Sequence, residues 1–201
     1  MRDIYFDNSS TTVVSKKAAE IVMHVMTCDY GNPSSLHQKG VDAEKYIKNA
    51  RKQIAKTLKV SDNEIYFTSG GTESNNWALI GGARANRRAG NKILTTPMEH
   101  PAVSEPLKML ASEGFEIVTI PVDSQGRLDM QVLENEMTED VILISMMYVN
   151  NEIGAVTPVA EIGRLKKINC PKALYHVDAI QAYGKYVIYP RELGIDLLSG
   201  D

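Results

Sequence analysis

Four short stretches of the chain carry side chains whose types and spacing suit ligand chemistry. In Ser69-Gly70-Gly71-Thr72-Glu73-Ser74-Asn75-Asn76 two glycines let the backbone turn sharply, and a helical pattern resumes at Trp77-Ala78-Leu79-Ile80. The N–H groups of such a helix start, with the hydroxyls of Ser69 and Thr72, form an anion site of the kind that takes a phosphate; a plain glycine turn capped by Thr72 is the competing account. No Gly-Lys-Ser/Thr follows, so this is not a Walker loop. His100, held between Pro97 and Pro101, can offer its ring face to a flat heterocycle or simply be a satisfied loop residue. Asn150 and Asn151 follow the apolar run 141–149. An amide both donates and accepts, which suits a phenolic oxygen or a carboxylate, whereas an Asn-rich turn with a left-handed Gly154 explains all but the doubled amide. Asp178 ends another apolar run, and a carboxylate there needs a partner, either a protonated ring nitrogen or an internal lysine or arginine.

Placing these groups together requires a scaffold, and the apolar periodicity outlines one. Ala43, Ile47, Ala50, Ile54 and Leu58 recur at helical spacing between His37 and Val60. Runs 64–68, 92–95, 115–120, 141–149 and 173–177 read as strands, separated by helices of roughly 10 to 18 residues, the length a parallel crossover needs. Alternation of this kind predicts an α/β fold: a mostly parallel central sheet with helices on both faces, whose ligands bind beyond the carboxyl ends of the strands. Each of the four stretches lies after such a strand. Residues 121–129 are the most turn-like interval in the middle of the chain.

Composition narrows the function classes. The chain has 201 residues, 43% hydrophobic and 23% charged, enough for one sizeable core and too apolar for disorder. A net charge of -3 gives no basic surplus for nucleic acid. The longest apolar stretch, 141–149, is too short to span a bilayer, and Met1-Arg2-Asp3-Ile4-Tyr5 does not read as a signal peptide, so a cytoplasmic protein is expected. Cys28 and Cys170 are far apart, and the four histidines lack metal-ligand spacing, so neither a disulfide framework nor a metal site is expected.

In order along the chain, Ile4-Tyr5-Phe6-Asp7-Asn8-Ser9-Ser10-Thr11-Thr12, Gly31-Asn32-Pro33-Ser34-Ser35-Leu36-His37, the Ser69 loop, Glu99-His100, residues 149–154 and residues 176–185 resemble the motifs of cysteine desulfurases in the class V aminotransferase family. The resemblance implies the aspartate-aminotransferase-like fold, with an N-terminal arm over residues 1–14 and a cofactor-binding large domain over residues 15–201. It implies that Gly71 and Thr72 hold the phosphate of pyridoxal 5'-phosphate, that His100 is the catalytic residue stacked on the pyridine ring, and that Asp178 keeps the ring nitrogen protonated. Gln181 would bond the ring oxygen, Asn151 would sit beside that oxygen and the substrate carboxylate, and the 32–37 loop would lie near the active-site mouth of a homodimer.

The same resemblance calls for a lysine in a Ser-x-His-Lys segment, to hold the cofactor covalently, after a strand like Gly194-Ile195-Asp196-Leu197-Leu198-Ser199. The 201 residues contain no such segment, and Lys185 matches a position without that role. The small C-terminal domain, its carboxylate-binding arginine and its sulfur-accepting cysteine are absent too, and neither Cys28 nor Cys170 stands in for that cysteine. The expectation is therefore a truncated chain, inactive by itself and binding the cofactor weakly or not at all. The intact protein would convert L-cysteine to L-alanine and pass sulfur to an acceptor protein in iron–sulfur cluster assembly. Class V aminotransferase or selenocysteine lyase activity, a non-catalytic dimeric fragment and a phosphate-binding module are the alternative readings.

Overall fold

The computed structural model describes residues 4–200. Met1, Arg2 and Asp3 of the expected arm, and Asp201 of the expected domain, lie outside the described residues. Two compact units divide between Tyr66 and Phe67. The first holds α1 (Lys16–Thr27) and α2 (Gln38–Leu58). The second is the helix that the apolar spacing predicts; it buries Ala43, Ala55 and Leu58, and Lys59 ends it in a left-handed conformation.

In the second unit α3 (Gly71–Asn76), a π-helical turn (Trp77–Gly81) and α4 (Gly82–Asn86) succeed one another as one helical run. They are followed by β1 (Lys92–Thr95), α5 (Pro101–Ser112), β2 (Glu116–Thr119), α6 (Met130–Glu136), β3 (Val141–Met147), α7 (Val159–Asn169), β4 (Leu174–Asp178), α8 (Pro190–Leu193) and β5 (Leu197–Ser199). The strands form one five-stranded sheet in the order β2-β1-β3-β4-β5, and every pairing is parallel. All seven residues of β3 are buried, as a central parallel strand covered on both faces requires.

Register assigns the faces. Leu143, Ser145 and Met147 lie opposite Leu174, His176 and Asp178, and the last two of these oppose Leu197 and Ser199, so all eight residues share one face. The α3–α4 run covers that face: a Cβ placed on Gly82 would lie 3.2 Å from Leu174, and Leu79 and Ala83 pack with Leu143, Ile93 and the α5 residues Val103, Leu107 and Leu110. Tyr175 points to the opposite face, where its hydroxyl donates to the Val159 carbonyl of α7 at 3.4 Å.

Two expectations need correction. Residues 64–68 are not a strand: Asp62–Glu64 form a 3-10 turn, the Arg51 guanidinium takes the Ile65 carbonyl at 3.1 Å, and Tyr66 and Phe67 are exposed. A β-branched, aromatic run becomes a strand only beside a pairing partner, and this run has none among the described residues. One crossover helix is also shorter than the spacing suggests, with 7 residues in α6. Much of the β2–β3 connection is instead the predicted turn at 121–129, closed by the Val122–Leu128 bridge and by Asp123, which accepts from the Gln125 and Arg127 N–H groups.

One polar chain crosses the core. His176 Nδ1 lies 2.9 Å from Ser145 Oγ and Nε2 lies 3.1 Å from Ser199 Oγ, so both ring nitrogens are satisfied by neutral groups. Burial holds this histidine down to about 4. Its contribution to stability is therefore full above the ordinary value of 6.5 and is lost as pH falls toward 4, on the order of 3 kcal/mol across that window. Histidine NMR should show the His176 ring neutral at pH 5; a midpoint near 6.5 would contradict this.

Candidate functional site

Parallel strands align their carboxyl ends on one edge, and the loops leaving β1, β3 and β4 there carry His100, Asn151 and Asp178. The β1 loop is tightly built. Thr96 Oγ1 accepts from the Met98 N–H and donates to Glu99 Oε1, which also accepts from the Met147 N–H at the end of β3, at 3.0 Å. His100 then caps α5: its Nδ1 accepts from the Ala102 N–H at 3.1 Å, and Pro101 occupies the first helical position. That bond places the proton of a neutral ring on Nε2. The ring is exposed, with one nitrogen fixed and its faces not hydrogen-bonded.

The β3 loop is a hairpin closed by the Val149–Val156 bridge, with Gly154 left-handed at φ 69° as the turn chemistry predicts. The doubled amide divides into two roles. Asn150 shapes the loop, its Oδ1 accepting from the Glu152 and Ile153 N–H groups and its Nδ2 donating to the Met98 carbonyl at 2.9 Å. That last bond ties the hairpin to the His100 loop. Among the described residues the Asn151 side chain has no such hydrogen bond, and it lies half-buried in the turn of the hairpin.

Asp178 ends β4 and is 2% exposed. Its Oδ2 accepts from Asn75 Nδ2 at 2.8 Å and its Oδ1 from the Ile180 N–H at 3.1 Å. Among the described residues no lysine or arginine pairs with it, which removes the ion-pair account. Burial pushes this carboxyl up, while the Ile180 N–H, the Asn75 amide and nearby His100 pull it back. Gln181 follows in the same turn, with the Lys185 ammonium on its backbone and side-chain oxygens.

Asn75 was not among the candidates from sequence, and it brings the Ser69 loop to Asp178. α3 starts at Gly71 after Gly70, whose φ of 153° suits glycine, and no side chain caps it. Thr72 is thus not the cap; it stands exposed in the first turn beside Gly71, where backbone N–H groups lack helical partners. A Cβ on Gly71 would meet Ile180 Cδ1, so the helix start lies directly against the Asp178 turn. Glu73 Oε2 accepts from the Ser69 N–H at 2.6 Å, so that N–H is not open to a ligand at the helix start.

Buried polar side-chain atoms that find no hydrogen-bond partner among the described residues are Asn75 Oδ1, Thr95 Oγ1, Glu99 Oε2 and Asn169 Nδ2, the first three of them at this edge. An excess of polar groups over partners marks a place retained for chemistry rather than for stability. A protonated heterocycle bearing a phosphate fits it: the helix start suits the phosphate, and Asp178, lacking a cation, suits the ring nitrogen. No group of three or more His, Cys, Asp or Glu side chains placed to hold a metal ion occurs among the described residues. Nor is any described helix long and apolar enough to cross a membrane.

Fold and site together define a doubly wound α/β protein with an uncapped helix start and a buried carboxylate at the carboxyl ends of its strands. Residues 4–200 match the family model for class-V aminotransferases, and the chain belongs to that family. Cysteine desulfurase IscS of Methanosarcina thermophila is 46% identical over 98% of this chain and 48% of its own length. A solved NifS-like protein superposes with a TM-score of 0.95 at 40% identity, over 98% of this chain and 54% of that one. The structure titled SspA in complex with cysteine superposes with a TM-score of 0.92 at 32% identity, over 98% and 56%. The chain spans about half the length of the curated relatives it matches.

Replacing Asn75 by Ala should lower stability near pH 7 by about 1–3 kcal/mol, because Asp178 loses its one side-chain donor among the described residues. Asp178→Asn, which removes the buried charge and keeps an acceptor for Asn75, should cost less. Urea unfolding of both variants checks the order, and the reverse order would contradict it.

Proposed function

We propose that the whole protein is a pyridoxal 5'-phosphate-dependent cysteine desulfurase that converts L-cysteine to L-alanine and passes the sulfur to an acceptor protein. The observation that carries the reading is Asp178, a buried carboxylate with neutral donors and no lysine or arginine partner among the described residues, set against an uncapped helix start. The choice of L-cysteine rests on the relatives named cysteine desulfurase and on the similar structure solved with cysteine. We assign the protein to the cytoplasm as a homodimer, and its iron–sulfur assembly role follows the family resemblance. Two free thiols, Cys28 and Cys170, suit a reducing compartment.

The residues divide the work by their chemistry. Gly71 and Thr72 direct backbone N–H groups at the phosphate. His100, anchored through Nδ1, holds a flat ring face against the heterocycle. Asp178 holds a proton at the ring nitrogen; the pair brings the cation that the buried carboxylate lacks and moves its pKa down. Gln181 and Asn151 bond the ring oxygen, with Asn151 also reaching the substrate carboxylate. The bound cofactor supplies an electron sink for the carbon next to the substrate amine. Within the 201 residues no Ser-x-His-Lys segment occurs, and the reading assigns turnover to the whole protein.

The full-length protein should form alanine from L-cysteine, and Asp178→Ala should lower that rate by about 100-fold or more. Absence of alanine would overturn the desulfurase reading; a wild-type rate in Asp178→Ala would overturn the role given to Asp178.

A further inference from the structure

Two carboxyl groups, Glu99 and Asp178, stand near the carboxyl ends of β1, β3 and β4, close enough for the Asp178 charge to act on Glu99, and their surroundings differ. Asp178 receives a donor on each oxygen, from Asn75 and from Ile180. On Glu99 both donors, the Thr96 hydroxyl and the Met147 N–H, go to Oε1, while Oε2 is buried without a partner. Among the described residues no lysine or arginine pairs with Glu99. The titratable groups facing it are Asp178 from β4, whose charge opposes its own, and Tyr175 from the same strand, a neutral phenol. When like charges share a buried place, the carboxyl with more donors takes the charge and the other keeps its proton.

We propose that Glu99 is a neutral carboxylic acid that positions the cofactor ring by clamping the His100 loop to the end of β3, leaving the negative charge of the edge to Asp178. The clamp is direct: Oε1 joins Thr96, at the start of the loop, to the last residue of β3, and His100 is the next residue in the chain. Neutrality is what lets the clamp stay closed, since an ionised Oε2 would have no donor and would need water to enter behind His100. The site geometry agrees with the titration expected of such a group: burial pushes Glu99 up to about 8, the Thr96 and Met147 bonds oppose this, and the Asp178 charge adds to it. A carboxyl raised in this way has its stabilising, protonated form complete below the ordinary 4.5 and loses it as pH rises through about 8.

The clamp's purpose rests on the cofactor reading, but its protonation state does not, and two measurements separate them. In the full-length apoprotein at pH 7, infrared spectroscopy should show the carbonyl stretch of a protonated buried carboxylic acid. That band should vanish in Glu99→Gln, persist in Asp178→Asn and titrate near pH 8. No band at pH 7, or one that survives in Glu99→Gln and vanishes in Asp178→Asn, would overturn the assignment. The second measurement is the affinity for pyridoxal 5'-phosphate. Between pH 7 and 9 the wild type should lose about tenfold in affinity relative to Glu99→Gln, as the neutral form falls to about a tenth. Glu99→Gln, which keeps the acceptor and cannot ionise, should restore the binding that Glu99→Ala loses. Parallel pH profiles in wild type and Glu99→Gln would remove the positioning role. Failure of every protein to bind the cofactor would remove the proposed function and with it the positioning role, while the infrared result would still decide the protonation state.

Discussion

A carboxylate at the inner end of a central parallel strand is a group that folding alone does not favour. Asp178 is nearly solvent-free, and its hydrogen-bond donors are an amide and a backbone N–H, with no lysine or arginine paired to it among the described residues. Replacing water by two neutral donors compensates part of the desolvation, and the remainder raises the pKa. Much of the local architecture serves this one group. The α3–α4 run must cross the sheet face that carries Asp178, so that Asn75 can reach a residue 103 positions later in the chain. Gly71 must lie against Ile180, which sets the uncapped helix start beside the carboxylate turn.

His176, two residues earlier on the same face, shows what a purely structural buried polar group looks like. Both of its ring nitrogens are satisfied by serine hydroxyls on the adjoining strands, and burial keeps it neutral at physiological pH. At the strand ends the pattern changes. Asn75, Thr95 and Glu99 each keep a buried polar atom without a partner, and all three stand around the loops that carry the candidate residues. The contrast within a few ångströms of strand separates a core device from a site.

Much of this was legible in the sequence, for identifiable reasons. β1, β3 and β4 are buried runs whose pairing partners lie within the chain, so apolar patterning and pairing agree. The run at 64–68 is likewise rich in strand-favouring residues but has no partner strand among the described residues, and composition alone does not reveal a missing neighbour. The edge residues His100, Asn151 and Asp178 were visible because polar groups that follow apolar runs stand out. Asn75 was not visible as a partner, since its burial depends on how a helix crosses a sheet formed far later in the chain. Glu99 was visible only as the neighbour of His100; its role depends on the Met147 N–H, a contact between loop and strand that no local spacing encodes. The division of Asn150 and Asn151 into a loop-former and an available amide likewise required the hairpin itself.

The central claim is that Asp178 exists to keep a proton on a bound heterocycle. Nitrogen-15 NMR of the full-length protein loaded with ring-labelled pyridoxal 5'-phosphate reads that proton at the atom concerned. The account predicts a pyridinium shift in the wild type and a neutral-pyridine shift in Asp178→Ala. A neutral ring nitrogen in the wild type, or one that stays protonated without Asp178, would contradict it.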